Sequence, residues 1–376
     1  MFSIPIINPI FRMVMRIISV IVFLLTLISA YGGRVNPEYL SIPAVLCLAL
    51  PYFAIATVLL ILFWIISHKM IFTILGILTI VACSGPISLA IPFGSSKKPQ
   101  PGQQTFKIIS WNVLHTDDLG QPDYQGNRAV EFMINSGADV ICLAELNNFS
   151  PQELKKASPA LIDSLIRVYP YRAGNTSTDI KIMSKYPVSR EGHSYIADTG
   201  HHRFDFFKVN FPGAKVLNIG MVHLYSYDLT EEERQIIKEM KSVNGAKSSV
   251  KELKGSIRSK LRNAFRQRAQ NAELLREAID EIRPGAPLIV CGDFNDVPAS
   301  WAYNLIKGED MRDAYVETNL GFTWTYNKHL FLFHIDQMLY RGNIEALSLK
   351  VGKINTSDHY PLIGEFAFTN NKITNQ

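Results

Sequence analysis

The chain has 376 residues, 47% of them hydrophobic, with 38 basic and 33 acidic side chains and a formal charge of +5. The ordinary apolar content and the lack of an internal repeat exclude a disordered, collagenous or coiled-coil chain, and the length allows about two domains. Residues 1–95 carry only Arg12, Arg16, Arg34, Lys69 and Glu38, so the remainder is nearly neutral and is not an obligate polycationic nucleic-acid binder.

The first quarter reads as a membrane anchor. A bilayer core needs about 20 apolar helical residues, and uncharged stretches suggest three transmembrane helices near 13–31, 43–67 and 70–92. A cleavable signal peptide would stop after one such segment. Arg12 and Arg16 before the first span favour a cytoplasmic N-terminus, which puts residue 96 onward outside. Spans two and three contain no charged residue, so transport is not suggested.

A polar linker, 96–104, precedes the second domain, 105–370. Short apolar runs at 106–113, 140–143, 180–183, 206–209, 216–222, 288–291, 335–340 and 361–368 predict strands. Helical patterns at 127–135, 150–168 and 261–283 lie between them, so the fold class is α/β, sheets covered by helices. Cys47, Cys83, Cys142 and Cys291 lack metal-ligand spacing and read as small hydrophobes. Residues 241–268 hold nine basic residues and one acid, with Ile257, Leu261 and Phe265 on one helical face. Such a basic amphipathic helix is either a solvated flank or a contact for anionic lipid or nucleic acid.

Ionisable and amide side chains recur at the ends of the apolar runs. Asn112 ends FKIISWN, Glu145 ends VICLAE and His223 ends LNIGMVH. Asp293 and Asn295 lie in LIVCGDFN, Asp336 in FHID, and Asp358 with His359 in SDHYP. His115, His193, His201 and His202 fit no pattern and are expected in loops or at the surface.

The order WN…E…H…GDFN…HID…SDH resembles the endonuclease/exonuclease/phosphatase superfamily, to which pancreatic deoxyribonuclease, abasic-site endonucleases, neutral sphingomyelinases and inositol polyphosphate 5-phosphatases belong. It covers about residues 105–368. A multi-span anchor before such a domain is similar to a group of bacterial membrane proteins. The resemblance implies a four-layer α/β/β/α sandwich that hydrolyses phosphoesters. It implies Asn112, Glu145 and Asp358 as metal ligands or neighbours, and an all-oxygen set suits Mg²⁺ or Mn²⁺. In the same pattern His359 is the base, Asp336 orients its imidazole, Asp293 orients the attacking water, Asn295 binds the phosphate, and His223 donates to a phosphate or leaving oxygen.

The sequence departs from the pattern at Ala144 before Glu145, at His334, at Gln337 and at Thr178-Asp179. Lys181 and Lys185 near the last could face phosphate, although a surface position is the expectation. These departures bear on substrate more than on activity. Nucleic-acid phosphodiesters are slightly favoured; a phospholipid or lipid-headgroup phosphoester is the alternative, for which Trp301 and 331–333 are apolar candidates beside the cleft. A catalytically inactive tethered binding module is the remote alternative. Acceptor patterns for N-glycosylation at Asn148, Asn175 and Asn355 flank the motifs, so an outward-facing domain fits a bacterial inner membrane, with the catalytic side toward the periplasm.

Overall fold

A computed structural model describes residues 9–121, 123–150, 152–154, 156–174, 178–196, 203–227, 247–328 and 332–369, with backbone alone for 193–196 and 247–257. Five helices come first: α1 Pro9–Tyr31, α2 Ile42–Cys47, α3 Leu50–Ile66, α4 Met70–Ala82 and α5 Ser84–Ala90. They correct the expectation of three unbroken spans. Only α1, extended to Arg34, is long and apolar enough to cross a membrane among the described residues, and α4 with α5 adds a second only if a bend of 65° is counted as one span. Proline is the physical reason. It lacks an N–H, and its ring clashes with the carbonyl four residues earlier. Pro51 therefore ends α2 at Cys47, and Pro86 ends α4 at Ala82, whose carbonyl accepts from the Tyr31 hydroxyl instead.

In this bundle hydroxyl residues are buried beside Phe23, Leu60 and Trp64, and many large apolar side chains are exposed. Ser19, Thr26, Thr57, Thr73 and Thr79 face inward, while Ile17, Ile21, Leu24, Ile55, Leu59, Leu62, Ile74 and Leu78 face outward. Thr26 and Thr57 share a hydrogen bond of 2.8 Å, and Trp64 Nε1 donates to Ser19 Oγ at 2.8 Å. Small hydroxyl residues that join helices from within are typical of bundles in lipid.

The rest of the chain forms two mixed six-stranded sheets. One has the order β11-β12-β1-β2-β4-β3, from Ile344–Val351, Leu362–Phe368, Thr105–Asn112, Val140–Ala144, Lys181–Ser184 and Tyr171–Ala173. The other has the order β5-β6-β7-β8-β10-β9, from Val188–Ile196, Arg203–Phe211, Lys215–His223, Leu288–Asp293, Asp336–Arg341 and Arg312–Asp313. Each is antiparallel except for one central parallel pair, β1–β2 and β7–β8.

The sheets pack face to face through Ile108, Cys142, Ile182, Phe207, Ile219, Cys291, Met338 and Phe366. The outer face of the first is covered by α6 Arg128–Asn135 and α7 Pro159–Val168. The outer face of the second is covered by α8 Lys247–Glu281 and α9 Trp301–Lys307, and α10 Ala314–Thr318 follows β9. This is the expected α/β/β/α layering, and all four cysteines are buried and unpaired as disulfides. Helix α7 starts at Pro159 behind the Ser158 cap, later than the predicted 150, and α8 extends N-terminally beyond 261.

The two parallel pairs end at the same edge of the sandwich. Asn112 closes β1, Glu145 follows β2, His223 closes β7, Asp293 closes β8 and Asp336 opens β10. Gly292 makes the approach of β8 to β7 possible: its φ is +143°, and a Cβ there would lie 1.9 Å from the Val222 carbonyl oxygen. Only glycine fits that place.

Candidate active site

His223 and Asp293 are register partners across β7–β8, and Asp293 and Asp336 are partners across β8–β10. These pairings bring three chemical groups from distant parts of the sequence to one sheet edge. The 355–361 loop leads into β12, which lies beside β1 and so places Asp358 and His359 above Asn112. That loop is stitched down: Trp111 Nε1 donates to the His359 carbonyl at 2.9 Å, and Ser357 Oγ donates to the Asn112 carbonyl at 2.8 Å. Thr325 Oγ1 accepts from the backbone N–H groups of Ile335 and Asp336, which fixes the start of β10.

All eight residues singled out in the sequence converge. His359 Nδ1 lies 2.8 Å from Asp336 Oδ2, and its Nε2 lies 3.6 Å from Asp293 Oδ2. Asn112 Nδ2 donates to Glu145 Oε1 at 2.8 Å and to Asp293 Oδ2 at 3.2 Å. Asp293 Oδ1 accepts from the Asn295 backbone N–H at 2.7 Å, and Asn295 Nδ2 donates to the Leu224 carbonyl at 2.9 Å. Glu145 and Asn295 adopt positive φ, +55° and +50°. Backbone held in that region by its surroundings clusters at functional sites.

His223 has a partner that sequence reading passed over. Its Nδ1 lies 3.0 Å from Asp179 Oδ2, while Nε2 faces Glu145 at 3.6 Å and Asp293 at 3.9 Å. Asp179 directly precedes the 180–183 apolar run, as the other site residues adjoin theirs, and that position was the available signal. Lys181 is buried rather than at the surface, donating Nζ to the Thr178 carbonyl, and Lys185 pairs with Asp139. His115 pairs with Glu153; His201 and His202 lie outside the described residues, as does the side chain of His193.

The electrostatics follow from burial and from crowding of carboxylates. Burial opposes charge on His223, but the Asp179 hydrogen bond and the carboxylates of Asp179, Glu145 and Asp293 outweigh it and hold the imidazole up at about 9. Burial likewise opposes charge on His359, and Asp336 and Asp293 raise it well above the ordinary histidine range nonetheless. Burial pushes the Asp293 carboxyl up to about 6, against the pull of the two imidazoles. Such opposed environments mark sites of acid–base chemistry.

The donor set suits a hard divalent cation. Buried carboxylates with excess negative charge, beside an amide, provide oxygen ligands. Asp293, Asp336 and His359 together could hold a metal ion, with ligand atoms within 4.8 Å of one another. The 2.8 Å contact between His359 and Asp336 already joins that pair as a hydrogen-bonded dyad, and on the other side of Asp293 the Asn112 amide bridges its carboxylate to that of Glu145. Asn112 presents its amide nitrogen to the carboxylates while Oδ1 accepts from the Leu114 N–H; a half-turn of the amide brings the oxygen to a cation.

Behind the site, Arg268 of α8 is fully buried between the rings of Tyr227 and Phe265, its guanidinium carbon 4.2 and 4.6 Å from their centroids. It donates to the Asn295 carbonyl and lies 3.7 Å from Asp296, which props the loop that carries Asn295.

The endonuclease/exonuclease/phosphatase family matches residues 109–359, and a domain of unknown function matches residues 12–89. No curated protein matches the chain. Similar solved structures include an endonuclease/exonuclease/phosphatase from Beutenbergia cavernae, 14% identical over 71% of this chain and 72% of that one, TM-score 0.46. TDP2 of D. rerio complexed with a single-strand DNA product is 16% identical over 70% and 99%, TM-score 0.45. The human nocturnin catalytic domain is 16% identical over 73% and 100%, TM-score 0.43.

Proposed function

This chain belongs to the endonuclease/exonuclease/phosphatase family, and on that premise we propose that it is a divalent-metal-dependent phosphodiesterase held at a membrane by its N-terminal helices. Hydrolysis of phosphoesters is the activity of the family. The observation that carries the reading is the His359–Asp336 dyad, with His359 Nε2 turned toward Asp293 and the Glu145–Asn112 pair beyond it.

In this reading Asp336 accepts the Nδ1–H of His359, and, with the charge of Asp293 offset by a cation, Nε2 would release the proton the carboxylates otherwise hold on it, leaving its lone pair toward the cleft. A water between His359 and Asp293 gives its proton to Nε2 as its oxygen forms the new bond to phosphorus. The ester P–O bond opposite breaks, and the departing oxygen takes a proton from His223, which Asp179 orients. The second N–H of the Asn295 amide is available to a phosphate oxygen. A divalent cation, Mg²⁺ or Mn²⁺, held by Glu145, Asp293, Asp358 and Asn112 would offset the phosphate's charge and stabilise the leaving oxygen.

Support for the membrane comes from the outward apolar and inward hydroxyl faces of α1, α3 and α4. α1 is the helix with the length to span, and a bacterial inner membrane with the catalytic side outward remains the proposed location. The exposed Arg258, Arg262 and Arg266 of α8 support contact with anionic partners, either nucleic acid or lipid.

The test is Mg²⁺-dependent hydrolysis of bis(p-nitrophenyl) phosphate by the full chain held in amphipol, with EDTA and Asp293→Asn as controls. The expected result is turnover that EDTA abolishes and that Asp293→Asn lowers by at least ~10²-fold without loss of fold. Turnover unaffected by either would overturn the site.

A further inference from the structure

The catalytic cleft has an apolar wall, and part of that wall comes from the N-terminal helices. A cavity of about 380 Å³ has Glu145, Asp293, Asp358 and His359 at its polar end, and Leu48, Leu261, Phe333 and Ile335 along its side. Leu48 lies between α2 and α3, some sixty residues before the catalytic domain begins. Its position is held by the preceding residue: Cys47 is buried against Val297 and Ile335. Leu261 comes from α8, so three separate parts of the chain close the wall.

The wall does not end at the cleft. Leu48 and Phe333 also line a narrower gap whose other residues include Pro51 and Tyr52 at the start of α3. Tyr52 is followed on the same helical face by Ile55, Leu59 and Leu62, each about half exposed or more. An apolar track therefore runs from beside His359 to the outward surface of α3, the surface that the membrane reading turns toward lipid. Among the described lining residues of the cleft Lys328 is the single lysine or arginine, whereas a polynucleotide track needs several along its backbone.

We propose that Leu48, Leu261, Phe333 and Ile335 form a subsite for the hydrocarbon chain of an amphiphilic phosphodiester, a membrane lipid whose phosphate meets the catalytic groups. The inference rests on the phosphodiesterase reading and adds the substrate class and a role for the N-terminal segment in selecting it. The apolar part stays beside the N-terminal helices, the phosphate enters the polar end, and hydrolysis breaks one P–O ester bond as the water oxygen bonds to phosphorus, its proton going to His359 and the departing oxygen taking one from His223.

The experiment uses full chain in amphipol and p-nitrophenyl alkyl phosphate diesters with methyl, butyl or octyl chains, each below its micelle concentration. Reaction chemistry is constant across the series, so the chain alone varies. A buried methylene is worth several-fold in kcat/KM, and wild type should favour octyl over methyl by at least ~30-fold. Leu48→Asn and Phe333→Ala should each flatten that ratio below ~3-fold, and Leu48→Met should retain it. The two flattening variants lie in segments far apart in the chain, so misfolding of one leaves the other decisive. A flat series in wild type, a slope untouched by both variants, or a DNA oligonucleotide cleaved far faster than the octyl diester overturns the proposal while leaving the hydrolase intact. Failure to cleave any diester, the methyl one included, overturns the hydrolase reading itself.

Discussion

Asp336 and Asp293 face each other as register partners across β8–β10, and one imidazole, that of His359, meets both: Nδ1 lies 2.8 Å from the former and Nε2 3.6 Å from the latter. The first contact is a hydrogen bond and the second is too long to be one. The pair thus divides the ring into an anchored side and a working side. Asp336→Asn should expose that division. An amide that donates to Nδ1 favours the tautomer with the proton on Nε2, so the working side becomes a donor. We expect kcat to fall by ~10²-fold or more with the melting temperature little changed. A rate within a few-fold of wild type would remove Asp336 from its role.

Asp179 meets the site through His223, and that bounds its effect on turnover. Asp179→Asn weakens the partner that orients Nδ1, so turnover should drop by about 10-fold, less than for His223→Ala. The double variant should be no slower than His223→Ala alone, because groups that act as a unit are not additive. Multiplying effects in single-turnover rates would show that Asp179 has an independent task.

The site was legible because its residues share a local signature. Asn112, Glu145, His223 and Asp293 each terminate an apolar run, and a strand end is where a polar group reaches a cleft without being buried in the sheet. Asp179 adjoins its run from the other side, and its partner lies 44 residues away in the opposite sheet, so no local pattern ties the two. Leu48 is one apolar residue in a long uncharged stretch; its place in the cleft depends on how α2 packs on Val297 and Ile335. Strand β5, VSREGHSYI, has too few apolar residues to read as a strand and is held by its ladder to β6. The prolines at 51 and 86 were visible in the sequence, but hydropathy averages over them, and the breaks they impose on the helices are backbone sterics.

His334 should make the fold acid-sensitive. It is stacked on Tyr315 with ring centroids 4.1 Å apart, its Nε2 has no hydrogen-bond partner, and burial depresses it from 6.5 to about 4. The unfolded chain binds a proton there below about 6.5 and the folded chain does not, so stability is full above that pH and falls as pH drops toward about 4. Wild type should therefore lose more melting temperature between pH 7 and pH 5 than His334→Gln, whatever the variant's starting stability. Parallel losses would mean that His334 is not the titrating group.

Helix α8 approaches the junction with the N-terminal helices from the catalytic side. Gln270 donates to Glu38 at 2.6 Å, and Leu261 lines the same cleft as Leu48. Between those two contacts Arg262 and Arg266 point outward, with Arg258 one turn before them; Lys241 lies outside the described residues and the side chains of Lys247, Lys251 and Lys254 are not described. On the proposed membrane reading, a basic face this near the N-terminal helices gains about 1 kcal/mol per cation from anionic headgroups, and salt screens that gain. In proteoliposomes, trypsin should cut within 247–268 several-fold more slowly when the lipid is anionic than when it is neutral. Raising NaCl to ~0.5 M should abolish the difference. Equal cleavage in both lipids at low salt would leave the arginines as a solvated face with no membrane contact.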